Sequence, residues 1–128
     1  MALTPIRPYN EVAICESTTS IATTPVAAYG IAPVTGYIQR VMAAAAGTTT
    51  GTITVAVTIN GGSDIANSTL TIAAGSGNVP TTIELNLVGA GTTSGVHVNE
   101  GDLIAFTPSG GTGSSIGGAF AAVIRAQN

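Results

Sequence analysis

Apolar and polar residues alternate with a period of two along most of this 128-residue chain. The clearest stretch is residues 51–60, where Ile53, Val55, Val57 and Ile59 share one face and Thr52, Thr54, Ala56 and Thr58 the other. Successive strand side chains point to opposite faces, so this pattern predicts an antiparallel strand buried on one side. Its β-branched residues favour the extended backbone. The stretch stops at Asn60-Gly61, a dipeptide suited to the positive φ angles of a tight hairpin turn.

Weaker versions of the same pattern flank it. Residues 11–15 place Val12 and Ile14 on one face, and residues 36–42 set Tyr37, Gln39 and Val41 opposite Ile38, Arg40 and Met42. Residues 68–73 turn Leu70 and Ile72 inward, and residues 81–88 do so with Ile83, Leu85 and Leu87. After a short strand at 96–98, Asn99-Glu100-Gly101-Asp102 turns the chain into a strand at 103–107. Residues 119–126 close the chain with Phe120, Ala122 and Ile124 on the inner face. Residues 16–24, 25–33 and 108–115 read as connections, the second irregular and the last a Gly/Ser/Thr loop. No segment sustains a 3.6-residue apolar period, so helix is not expected. Roughly seven to nine short strands without crossover helices predict an all-β fold, an antiparallel two-sheet β-sandwich of jelly-roll-like form.

The first ten residues break the pattern. Pro5 and Pro8 remove backbone donors and fix φ, which suits an extended arm and not a sheet interior. The expected organisation is therefore an extended N-terminal arm, 1–10, and a single β-sandwich domain, 11–128. Leu3, Ile6 and Tyr9 give the arm three sizeable apolar side chains, and Arg7 is its only charged one. These four residues are the candidate partner-binding set.

Composition narrows the function. Charged residues make up 7% of the chain, against about 25% in an average soluble domain. There is no lysine, the arginines are Arg7, Arg40 and Arg125, and the formal net charge is -3. Three scattered arginines cannot build the basic stripe that nucleic acid requires. No apolar run approaches the ~18–20 residues of a membrane-spanning helix, and the first residues show no apolar signal region. A surface so poor in charge points to burial against another protein, often a copy of the same chain.

Candidate chemistry is thin. Gly113-Ser-Ser115-Ile-Gly117 fits the nucleophile-elbow spacing, with His97 and Asp102 supplying the other names of a triad. That motif has meaning only on a strained turn between a strand and a helix, whereas here it falls in a loop between strands. His97 and Cys15, each the only one of its kind, cannot provide the three or four ligands of a zinc site. Cys15 is expected to be a small buried hydrophobe. Glu100 and Asp102 read as a charged turn in preference to a calcium site. Gly110-Gly-Thr-Gly113 lacks the lysine of a phosphate loop. The expectation is a non-enzyme with no cofactor and no metal.

Thr52-Ile-Thr-Val-Ala-Val-Thr-Ile-Asn-Gly61, Leu70-Thr-Ile72, Val98-Asn-Glu-Gly-Asp-Leu-Ile-Ala-Phe106 and the Ala-rich closing strand resemble the small jelly-roll modules of phage virions. That group includes head decoration (cement) proteins and, more distantly, trimeric fibre heads. The resemblance spans residues 50–126. It implies a structural virion protein, a capsid decoration protein of a tailed phage that binds and stabilises the shell of major capsid protein. It further implies a homo-oligomer, with a trimer favoured and a dimer as the alternative. Such a protein would be made in the host cytoplasm and reside on the capsid surface. Two other readings are a receptor- or sugar-binding domain of a head or tail fibre, and a bacterial surface sandwich of adhesin type. The loops at 61–63, 75–78 and 110–115 carry mostly Gly, Ser and Thr and no aromatic residue, which favours the structural role over sugar binding.

Overall fold

The computed structural model describes residues 11–65, 68–85 and 95–126. Nine strands follow one another in these residues, with no helix among them: β1 (Glu11–Thr18), β2 (Ala28–Ile31), β3 (Gly36–Ala45), β4 (Ile53–Ile59), β5 (Leu70–Ile72), β6 (Thr81–Glu84), β7 (Val96–Val98), β8 (Leu103–Ser109) and β9 (Gly118–Ala126). They build two antiparallel sheets. One has the order β1-β9-β3-β6, with β7 also paired to β3, and the other has the order β2-β8-β4-β5.

The pairings are nested. β1 pairs with β9, β2 with β8, β3 with β6 and β7, and β4 with β5. That is one long hairpin, and rolling it up lays β9 against β3 and β8 against β4. The result is the jelly roll, in which the chain steps between sheets and shares its apolar faces in one core. The fold class expected from the alternation is therefore the observed one.

The core lies between the sheets. Ile53, Val55 and Val57 of β4 are fully buried, as are Ile104 and Phe106 of β8 and Ala122 and Ile124 of β9. Phe106 from one sheet stacks on Phe120 from the other, with ring centroids 5.3 Å apart and planes 6° from parallel. At the edge of the sandwich β1 lies directly over β2. A Cβ added to Gly30 would come within 2.5 Å of the Ile14 Cγ2, so only glycine permits that approach. The turn after β4 is of the expected kind. Asn60 and Gly61 have φ of 53° and 70°, and the Gly62 N–H donates to the Ile59 carbonyl at 3.0 Å.

Several elements differ from the sequence expectation. β1 runs on to Thr18, and β8 takes in Pro108 and Ser109. Residues 28–31, expected to be irregular, form β2. Cys15 is exposed and not buried, because it alternates with Ile14, whose side chain faces the core. In β3 the pairing register with β9 shifts between Ile38 and Arg40. This bulge puts Ile38 and Val41 together in the core at 0% exposure, where strict alternation would set them on opposite faces. Gln39, at the bulge, is 3% exposed, and its Nε2 donates to the Tyr37 carbonyl at 3.3 Å. β6 ends at Glu84. Leu85 is buried, while Leu87 lies outside the described residues.

Candidate interaction surface

Of the residues that carried candidate chemistry, Asp102 is used in building the fold. Its Oδ1 accepts from the Asn60 Nδ2 at 2.9 Å, and its Oδ2 accepts from the Asn99 N–H at 2.8 Å. Asn60 Oδ1 in turn accepts from the Leu103 N–H at 2.8 Å. The Ala32 N–H donates to the Asp102 carbonyl, and the Gly101 N–H donates to the Ala32 carbonyl, each at 2.9 Å. One turn thus ties together the end of β2, the end of β4 and the start of β8. The hydrogen bond from Asn60, then that from Asn99, holds the Asp102 carboxyl below its ordinary value. The Asn-Glu-Gly-Asp segment is a structural clasp.

The triad names do not converge. Ser115 lies in the loop before β9, whose first residue Gly118 pairs with Ala45. His97 pairs with Tyr37, which stands opposite Arg125 near the other end of β9. Roughly seven strand residues separate the two ends, or ~24 Å at ~3.4 Å per residue. His97 is exposed and meets Tyr37 edge-on, with centroids 5.2 Å apart. Among the described residues no three His, Cys, Asp or Glu side chains are grouped to hold a metal.

Two outward patches remain, and each is built mainly of apolar side chains. On the β1-β9-β3 sheet the registers place Ser17, Ala119 and Ala44 in one row and Cys15, Ala121 and Met42 in the next. These side chains, all short but Met42, floor an open depression of ≈ 420 Å³ that Pro80 and Glu16 also line. No charged group enters these two rows. The next row holds Arg40, whose Nε lies 3.1 Å from Glu84 Oε1 at the rim. Both side chains are about a third exposed, so the pair adds little stability.

The second face is on the other sheet. Tyr29 and Ile31 alternate with buried Ala28 and Gly30, so they project outward at 56% and 65% exposure. Ile31 is directly opposite Leu103, itself 38% exposed, and Tyr29 is opposite Ala105. Three large apolar side chains therefore adjoin at the edge strand β2. The sequence reading passed over them because Pro25, Pro33 and Gly30 blur the alternation around β2. The signal available was Leu103, which falls out of phase with the inward pair Ile104 and Phe106. The arm residues Leu3, Ile6, Arg7 and Tyr9 lie outside the described residues.

No protein-family model matches this sequence, nor does any curated protein. The fold and its surfaces are what bear on function.

Proposed function

We propose that this protein is a structural component of a virus particle, a capsid decoration protein of a tailed phage that binds the shell of major capsid protein and stabilises it. The observation that carries this reading is the pair of uncharged rows, Ser17-Ala119-Ala44 and Cys15-Ala121-Met42, on the outer face of the β1-β9-β3 sheet, in a chain with only 7% charged residues. Short side chains let another surface come close over a wide area, and few charges need to be stripped of water when it does. The jelly roll supplies a rigid block for such a task, and the loops carry Gly, Ser and Thr in place of ligand-gripping groups. The protein works as a homo-oligomer, a trimer in preference to a dimer, and its arm adds a grip on a neighbour through Leu3, Ile6, Arg7 and Tyr9. It needs no cofactor, nucleic acid or membrane for this.

Binding to undecorated particles tests the proposal. The full-length protein should saturate such particles and raise the temperature at which the shell disrupts. Failure to bind, with the protein folded, would overturn it.

A further inference from the structure

The outward patch of Tyr29, Ile31 and Leu103 is the feature that the capsid-binding reading leaves unused. We propose that it is the receptor for the N-terminal arm of a second copy of this chain, so that arm-to-patch contacts link the copies head to tail. This inference rests on the homo-oligomer part of the reading above and names the contact that builds it.

The arm's own sequence repeats with period three. Leu3, Ile6 and Tyr9 recur at every third position, as do Pro5 and Pro8, and as do Thr4 and Arg7. Three residues per turn is the period of the polyproline II helix, and the residue before each proline is driven to extended backbone. In that conformation Leu3, Ile6 and Tyr9 form one apolar ridge, with neighbours ~9 Å apart at ~3.1 Å per residue. Tyr29 and Ile31, two strand positions apart, offer receiving sites ~7 Å apart. Extended proline-containing segments are commonly read by such aromatic and apolar surfaces.

Charge complements shape. The patch is bounded at its Leu103 end by Asp102 and exposed Glu100, and the Ala32 N–H to Asp102 carbonyl bond holds that acidic turn beside Ile31. Arg7 is the only charged side chain of the arm. Of the other two arginines, Arg40 is paired with Glu84 and Arg125 stands opposite Glu11.

Reach decides between a chain's own patch and that of a neighbour. The arm joins the body at Glu11, on the opposite sheet from β2. Passing from there to the outer face of the β2 sheet means crossing ~10 Å between sheets and a further side-chain layer. At ~3.5 Å per extended residue this consumes about four or five residues. Ile6 and Tyr9 would be spent in the crossing. A neighbour's patch imposes no such crossing, so adjacent ridge side chains such as Ile6 and Tyr9 stay free to seat on it. Because arm and patch are different surfaces, the contact can join successive copies into a ring such as a trimer, and it gives a dimer only where two copies exchange arms reciprocally.

Sedimentation equilibrium on the full-length protein and on Ile6→Glu and Ile31→Glu tests this, with melting curves to confirm folding. Ile31 is 65% exposed and Ile6 belongs to the arm, so the proposal expects each variant to melt like the wild type and to self-associate at least ~10-fold more weakly. The double variant should be no weaker than the worse single one. Mixing the two single variants should give a heterodimer that neither forms alone, since the intact arm of Ile31→Glu meets the intact patch of Ile6→Glu while the reverse contact stays broken. An oligomer unaffected by either substitution would sink the arm-to-patch contact and leave the homo-oligomer reading standing. Weakened variants that fail to complement on mixing would also sink it. A monomeric wild type would sink both together.

Discussion

The stacked pair Phe106 and Phe120 joins the two sheets across the core, and removing one ring should be felt by the whole domain. Phe106 is fully buried and Phe120 is 2% exposed. Their rings are nearly parallel at 5.3 Å. An aromatic side chain of this kind buries ~150–250 Å², and Phe→Ala in a core typically costs ~3–5 kcal/mol, including the cavity left behind. Domains of this size are stable by roughly 5–15 kcal/mol, so Phe106→Ala should remove a large fraction of the total. The expected fall in melting temperature is roughly 10–20 °C. Urea titration is the assay, with the slope of the transition checked to be unchanged. Phe120→Ala and the double variant complete a cycle in which the pair should couple by ~0.5–1.5 kcal/mol. A Phe106→Ala loss below ~1 kcal/mol, or strict additivity of the two substitutions, would refute the inter-sheet contact.

Other substitutions separate the structural roles from the surface roles. Asp102 has a carboxyl lowered by Asn60 and the Asn99 N–H, so the folded state holds its proton less readily than the unfolded one. Its contribution is complete above the ordinary aspartate value of ~3.9 and is lost as pH falls through the lowered folded value. Melting temperature should therefore drop more steeply below about pH 4 in the wild type than in Asp102→Asn, and identical slopes would contradict the clasp. Ala121→Arg puts a charge on the floor of the depression beside Cys15 and Met42. It should abolish particle binding while shifting stability by no more than ~1 kcal/mol, and unchanged binding would move the docking face elsewhere. His97→Ala and Ser115→Ala, both at exposed positions away from that depression, should each change stability by less than ~0.5 kcal/mol and leave binding intact. A hydrolytic activity that disappears in Ser115→Ala would overturn the non-enzymatic reading.

How far the fold could be read depended on whether its cause was local. β4 was plain, because Ile53, Val55 and Val57 alternate without interruption and Asn60-Gly61 ends the strand with the required φ angles. β9 was equally plain from Phe120, Ala122 and Ile124. β2 was obscured by its place at the edge of the sandwich. Glycine at position 30 is demanded by Ile14 above it, and Tyr29 and Ile31 face outward. The bulge in β3 left no mark, since Ile38, Arg40 and Met42 fit an unbroken strand just as well. The nesting of β1 with β9 and β2 with β8 is set by contacts between distant parts of the chain, which alternation does not record. The same holds for the two outward faces. Ala44, Ala119, Ala121 and Met42 are ordinary strand residues until the register places them side by side.

The measurement closest to the central claim is a quantitative mass analysis of purified virions that counts copies of this protein against the major capsid protein. A decoration protein is expected at a fixed, simple ratio to the shell subunits, in many copies per particle, and should be lost when the particles are stripped of their outer layer. Absence from the particles, or only a few copies confined to a fibre or tail, would contradict it.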